Sequence, residues 1–521
     1  MTTAAHAAPS APAPPFASGR RLLITISVMM ATIMQVLDIT IANVSLPYMQ
    51  GSLSATLDQV SWVLTSYVVA AAVMTAPVGW LAARFGIKKL LVVCVTGFTL
   101  ASVLCGIAQS VEEIVLFRVV QGMFGAALVP LSQTVMLEIY PPEQRGWAMT
   151  LWGLGVMIGP IMGPILGGLL TEYYSWRWVF LINVPFGIAT ALGLIAFMDE
   201  TEGSGSQPFD WLGFATLSIA IGALQLMLDR GEQLGWFDSG EIVATAAVAA
   251  MGFYLFLAHT FTTTQPFISI AIFRDRNFVV GLAFMFVAGV LLVAIMAVMA
   301  PFLQGLMGFP IIDVGVLLGT RGIGMAIGMV AAGRLITRID PRLLLGAGLA
   351  CCAVSLYFSI AFSPDTAVFT IVWTSILQGI GLGAMFVPLN TLALGTLPAA
   401  LRTQGTAMWT LIRNLGSSIG VSILIANLTS KTTEMRARLA ESVTPFNQAL
   451  ADPAAALLDP KTDTGRALLE QIVGQQAAII AYDNSFLLMM VLTLAAFPLI
   501  ALVRVERRPP QGAPHTAPVA D

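Results

Sequence analysis

Apolar runs of about 20 residues recur along this chain from Leu22 to Val503, separated by short polar breaks, and each is long enough to cross roughly 30 Å of hydrocarbon as a helix. A backbone in lipid must satisfy its own hydrogen bonds, so this pattern predicts an all-α membrane protein. The runs place spans at 22–46, 59–82, 89–109, 113–136, 147–170, 178–198, 211–228, 242–261, 278–301, 312–335, 342–362, 366–390, 405–427 and 484–503, which makes 14 transmembrane helices. Composition agrees, because 57% of the 521 residues are hydrophobic and 10% are charged, too apolar for a soluble protein. A formal net charge of −3 gives no reason to expect a nucleic-acid partner. Cys94, Cys105, Cys351 and Cys352 lie in apolar runs without metal-site spacing, so packed free thiols and no metal are expected.

Lysine and arginine in short loops set orientation, since positive loops stay in the cytoplasm. With the N-terminus inside, the cytoplasmic segments hold 15 basic residues, from Arg20 and Arg21 to Arg507 and Arg508, whereas the short outer loops hold Arg177 and Arg230. Both termini are therefore expected in the cytoplasm, with 1–21 a disordered tail, as its Ala/Pro-rich composition implies, and 504–521 a second tail.

The chain also repeats itself. QGMFGAALVPL (121–131), Pro142, Arg145 and GWAM (146–149) reappear as QGIGLGAMFVPL (378–389), Pro398, Arg402 and GTAM (405–408). Gly79, Leu81 and Arg84 likewise return as Gly333, Leu335 and Arg338. Two parallel pseudo-repeats follow, a six-helix bundle at 22–198 and another at 278–503, with a two-helix hairpin and its linkers inserted at 199–277 (6+2+6).

These residues resemble the major facilitator superfamily, specifically its fourteen-helix drug:proton antiporters of the EmrB/QacA type, over nearly the whole chain after residue 20. LDITIANVSLP (37–47) is similar to that family's first-helix signature, and GWLAARFGIKK (79–89) to its loop after the second helix. That loop keeps Gly79, Arg84, Gly86 and Lys88, a candidate cytoplasmic gate, but has Ala83 and Ile87 where the family has an acid and a base. GLGVMIGPIMGPILGG (153–168) resembles the antiporter motif of span five. Gly155, Gly159, Gly163 and Gly167 recur on one helix face, where a neighbour can approach to backbone contact. Pro160 and Pro164 bend the helix and Gly168 ends the motif, which reads either as a packing ridge or as a conformational hinge.

Asp38 is the carboxylate placed deep within a span, where an ionised acid costs roughly 2.5–3.5 kcal/mol on insertion scales. Counting along oppositely running helices puts it in the outer half of the bilayer, at a depth Arg118 of span four can share. Arg118 has Ser375 at its repeat position, so the shared scaffold does not demand it. The pair is either an interior ion bridge or a proton-coupling pair. Gln35, Asn43, Gln121, Arg321, Gln378, Asn390 and Arg413 are further polar residues in spans and candidates for the cavity, with interhelical hydrogen bonding as the plain alternative.

The resemblance implies a bacterial inner-membrane multidrug efflux transporter that exchanges protons for hydrophobic, drug-like small molecules. Protons are the coupling ion, and no other cofactor is implied. It also implies a periplasmic adaptor of the EmrA type with an outer-membrane channel. Export of an endogenous product such as a siderophore or fatty acid uses the same scaffold, and a receptor or scaffold that moves nothing is the alternative of a different class. An enzyme is not expected, because His6, His259 and His515 are scattered and no nucleophile or metal constellation occurs. The segment 428–483 falls outside the membrane in this topology and reads as amphipathic helix, either resting on the membrane or docking a partner.

Overall fold

The computed structural model describes residues 18–141, 144–200, 208–264, 266–336, 338–444, 458 and 462–504. Of the tails expected at 1–21 and 504–521, residues 1–17 and 505–521 lie outside the described residues, as does Pro142 of the repeat, whereas 18–21 are not disordered but form the start of α1. In chain order the α-helices are α1 (Ser18–Ser52), α2 (Leu57–Thr75), α3 (Val78–Phe85), α4 (Ile87–Ile107), α5 (Val111–Gly125), α6 (Leu128–Ile139), α7 (Arg145–Tyr173), α8 (Trp178–Leu181) and α9 (Asn183–Phe197). They continue as α10 (Trp211–Arg230), α11 (Gly240–Thr262), α12 (Arg276–Pro301), α13 (Ile311–Leu335), α14 (Pro341–Ser359), α15 (Val368–Gly395), α16 (Ala399–Glu441) and α17 (Asp463–Ala495).

Among the described residues, 12 helical stretches are long and apolar enough to cross a membrane, and 13 if α2 and α3, bent by 57°, form one span. The 29-residue α7 is not among these 12. Several helices begin where short polar side chains satisfy the orphan amides of the first turn. Thr56 and Gln59 form a capping box on α2, and Ser110, Asp210, Asp275 and Thr462 cap α5, α10, α12 and α17.

The chain forms two compact units, residues 1–148 with 158–209, and residues 149–157 with 210–521. In the first unit α2 packs on α5, and α9 packs on α1 and α4. Basic residues at one end of this bundle cap the last carbonyls of α9. Arg20 Nε donates to Phe197 O (2.9 Å) and Lys88 Nζ to Ile195 O (3.0 Å), where the negative end of the helix dipole favours cations. Gly86, at φ +82°, makes the turn from α3 into α4 that a side chain would strain.

In the second unit α12 packs on α16, and α13 and α14 on α15. Arg276 Nε donates to Leu502 O (2.9 Å), and Arg342 bonds Val503 O. The α10–α11 hairpin belongs to this unit, tied to α16 by Gln225 Nε2 to Ser418 Oγ (2.9 Å) and Ser422 Oγ to Leu228 O (2.6 Å). The 149–157 segment of α7 also packs here, with Thr150 Oγ1 donating to Met329 O (3.2 Å) and Trp152 stacked on Phe386 at 6.0 Å.

The end of the thirteenth expected span is corrected. Helix α16 does not stop at 427 but runs 43 residues to Glu441, about 65 Å at 1.5 Å per residue, and α17 starts at Asp463 rather than 484. The described parts of 428–483 are thus continuations of two long helices, not a separate helix lying on a surface. The ion pairs Lys431–Glu434 (2.6 Å), Arg438–Glu434 (2.6 Å) and, between the two helices, Arg436–Glu470 line this projection. Charge did not end the helix, because its charges pair one turn apart and across to the neighbour.

Candidate functional site

Four helices of the first unit place polar side chains around Asp38. Helix α1 carries Asp38, α4 carries Ser102, α5 carries Arg118 and Gln121 three residues apart on one face, and Asn183 is the first residue of α9. All five are buried, with Asp38, Ser102, Arg118 and Gln121 at 0% exposure. The expected meeting of Asp38 and Arg118 is present, with Arg118 Nη1 donating to Asp38 Oδ2 at 2.5 Å.

Oδ1 of Asp38 accepts from Gln121 Nε2 (2.9 Å) and Asn183 Nδ2 (2.8 Å). Both amides give their second hydrogen to Ser102 Oγ, at 3.1 and 3.0 Å, and Ser102 Oγ donates to Phe180 O (2.9 Å). Arg118 further donates through Nε to Val63 O (3.0 Å) and through Nη1 to Gln121 Oε1 (2.8 Å), and its guanidinium carbon lies 4.2 Å from the Tyr67 ring centroid. A buried ion pair is tolerable only where such extra hydrogen bonds offset desolvation. Ile41, Ala42, Val63, Ile114, Val179 and Phe180 pack as an apolar cluster beside it, excluding water and strengthening every charge interaction inside.

The glycine face of α7 meets α1 at this level. A Cβ on Gly159 would lie 2.6 Å from Val36 Cγ1 and 2.8 Å from Val36 C, and one on Gly163 would collide with Thr40. Thr40 Oγ1 donates to Gly159 O (3.0 Å). Gly155 and Gly167 are buried, Gly168 faces open space, and the side chains of Pro160 and Pro164 lie outside the described set.

The other sequence candidates scatter. Gln35 is half-buried and Asn43 exposed, one on each side of Asp38 along α1. Gly79 is buried, Arg84 is exposed at the end of α3, and Lys88 bonds the α9 carbonyl described above. In the second unit Arg321 is buried and donates to Leu291 O (2.6 Å) and Leu292 O (3.1 Å) of α12, the helix-carbonyl bonding open to it from sequence. Gln378 is buried without a partner for Nε2, Asn390 Nδ2 donates to Phe386 O (2.7 Å), and Arg413 reaches Asn414 Oδ1 at 3.5 Å. Sequence reasoning missed Ser102 and Asn183. The signal for Asn183 was a carboxamide within the apolar run WVFLINVPFG, but Asp38's other partners gave no reason to single it out.

Comparison with known proteins agrees with this architecture. The family model described as Major Facilitator Superfamily matches residues 28–421. The chain is 34% identical over 474 residues to the multidrug export protein EmrB of Escherichia coli strain K12, covering 90% of this chain and 93% of that one. It is 32% identical over 499 residues to the fatty acid resistance protein FarB of Neisseria gonorrhoeae, covering 94% and 97%. Among solved structures, the proton:xylose symporter XylE bound to 6-bromo-6-deoxy-D-glucose superposes with a TM-score of 0.57 at 14% identity, over 94% of this chain and 100% of that one, a likeness of fold alone. The chain is therefore a membrane transporter and not an enzyme, and it belongs to the major facilitator superfamily, in its EmrB-like branch.

Proposed function

We propose that this chain exports hydrophobic and amphipathic drug-like compounds across the bacterial inner membrane in exchange for protons, as a fourteen-helix (6+2+6) antiporter with both termini in the cytoplasm. The observation that carries the reading is the fully buried Asp38–Arg118 pair, a titratable acid at membrane depth held by groups on four helices. Each proton moving inward supplies about 2.3 kcal/mol per 100 mV of membrane potential. Protonating Asp38 extinguishes the ion pair, and reforming it releases the proton, so the bridge takes two states that alternating access can read.

The 29-residue α7 and the bent α2–α3 pair, taken as one span each beside the 12, support the fourteen-helix reading. The same end-capping supports the two repeats, since Arg20 on Phe197 O and Lys88 on Ile195 O are matched by Arg276 on Leu502 O and Arg342 on Val503 O. In proteoliposomes, an imposed pH gradient is expected to drive uptake of a hydrophobic cation or weak acid, and collapsing the gradient to stop it. Equal uptake with and without the gradient would overturn the coupling.

Similarity to a fatty acid resistance protein favours one second reading, export of amphipathic acids such as fatty acids as the physiological cargo. Competition by fatty acids against drug flux separates the two, because a drug-only exporter shows none.

The polar ends of the long helices α16 and α17 support the reading of a docking post for a periplasmic adaptor leading to an outer-membrane channel. Because Arg436 pairs with Glu470 across the two helices, replacing 437–469 by a short linker joins ends that are already neighbours. That variant is expected to keep proton-driven flux in vesicles within about twofold while losing adaptor co-purification and drug resistance in cells, since connections in bundles need about 2–8 residues. Unchanged resistance with the adaptor still bound would refute the docking role.

A further inference from the structure

We propose that Asn183, anchored by Ser102, is a positioning residue that closes one oxygen of Asp38 and directs the coupling proton to the other. The proposal rests on reading Asp38 as the coupling acid and goes beyond it by naming the atom that takes the proton.

A carboxylate oxygen offers two lone-pair directions. At Oδ1 both are filled by neutral amides, Gln121 Nε2 at 2.9 Å and Asn183 Nδ2 at 2.8 Å. At Oδ2 the partner is Arg118 Nη1 alone, which leaves one lone pair open. The amide orientations are dictated by chemistry, because a carboxylate accepts only and a guanidinium donates only. Gln121 must therefore turn Oε1 to Arg118 and Nε2 to Asp38, and Asn183 must turn Nδ2 to Asp38.

Ser102 holds the amides in place. Its hydroxyl accepts one hydrogen from each amide and donates its own to Phe180 O, so its capacity is used completely. The remaining hydrogen of each amide goes to Oδ1, and neither can turn away without leaving a buried donor unmade, a loss the apolar surroundings make costly.

A proton arriving at Asp38 consequently binds Oδ2, the oxygen that faces Arg118. The carboxyl becomes neutral, Arg118 keeps its charge, and Nη1 now faces a hydroxyl oxygen, a much weaker acceptor than a carboxylate oxygen, so the ion pair is lost and the contact loosens. Oδ1, as the carbonyl oxygen of the acid, keeps its two amide bonds and holds α1 in place while neutral. Arg118 keeps Val63 O, Gln121 Oε1 and the Tyr67 ring, which offset part of the cost of a buried cation that has lost its counter-ion and whose Nη2 has no partner among the described residues. Without Asn183, a lone pair opens on Oδ1, and a proton bound there leaves Oδ2 as the carbonyl oxygen, a better acceptor for Arg118 than a hydroxyl, so the acid is neutralised while the Arg118 contact is held more tightly.

The test uses full-length protein in proteoliposomes, comparing wild type, Asn183→Leu and Ser102→Ala, with Asp38→Asn as reference. Asn183→Leu is expected to lower the substrate gradient sustained by a fixed pH gradient about tenfold and to move the pH dependence of transport up by about one unit, the effect of losing one hydrogen bond to a charged group. Infrared difference spectra, with the Asp38 band identified by its loss in Asp38→Asn, are expected to show the protonated carbonyl stretch at higher frequency in Asn183→Leu than in wild type. Ser102→Ala moves both readouts the same way by less, and carries the test if Asn183→Leu does not fold. If Asp38→Asn still transports against a gradient, the coupling role of Asp38 is lost and the clamp with it. If Asp38→Asn is inactive but Asn183→Leu, or Ser102→Ala in its place, keeps the wild-type gradient, pH dependence and carbonyl frequency, the clamp alone is overturned.

Discussion

An Asp38→Asn protein is expected to insert and fold, and to move no substrate above empty vesicles under an imposed pH gradient. Asparagine keeps the size of the side chain but cannot change protonation, so the two states of the bridge collapse into one. Geometry adds a second effect, because every group around Asp38 is a donor. Turned either way, the new amide points N–H at N–H, toward Arg118 or toward Gln121 and Asn183. Leaving such a buried donor unmade costs about 1–3 kcal/mol, and removing the counter-ion from a buried cation about 3–5 kcal/mol. The lower part of that range applies, since Arg118 retains Val63 O and Gln121 Oε1 and lies against the Tyr67 ring. A lowered melting temperature with intact insertion, together with zero gradient-driven flux, is the expected pair of measurements. Coupled flux from a well-folded Asp38→Asn protein would remove the acid from the mechanism.

The carboxylate and its arginine were legible in the sequence because charge in an apolar run is rare and helix depth can be counted residue by residue. The absence of an arginine at Ser375 added a reason to single out Arg118. Asn183 and Ser102 were not legible for the opposite reason. Uncharged polar residues are frequent in spans and bond to helix carbonyls by default, as Thr25, Ser27 and Thr99 do here. Asn183 reaches Asp38 from inside the apolar run 178–197, where hydropathy alone gives no sign of which helix face a carboxamide presents. Helix ends were misread where hydropathy fell before helicity did. Residues 428–441 are polar enough to leave lipid, yet they hold no proline or glycine and their charges pair along and between helices, so α16 continues. The two repeats also diverge in their interiors. Gln121 works in the ionic network, whereas Gln378, 257 residues on, is buried with no partner for its amide nitrogen, so matched sequence did not mean matched chemistry.

The second large effect is expected at Gly159, where valine should reduce gradient-driven transport at least about 100-fold without touching a charged group. A Cβ at this position would stand 2.6 Å from Val36 Cγ1, 2.8 Å from Val36 C and 2.9 Å from Leu37 N. The first of these can rotate aside, but the other two are backbone, so α7 and α1 must separate. Separation breaks the Thr40 Oγ1 bond to Gly159 O and shifts the turn of α1 that carries Asp38, whose contacts hold at 2.5–2.9 Å. Overpacking of this kind costs about 1–3 kcal/mol of stability, and a displacement of about 1 Å in a positioned group costs about 100-fold in rate. Gly159→Ala is expected to fall between, since it meets the same backbone atoms with one carbon fewer to place. Gly168→Val is the control on the same helix, because a Cβ there meets nothing within 4 Å, and it should transport at close to the wild-type rate. If Gly159→Val and Gly168→Val transport equally well, the glycine face is a packing ridge that the transport cycle does not use. If only the former fails while its melting temperature stays near that of Gly168→Val, the close approach of α7 to α1 is what keeps Asp38 in register with Arg118.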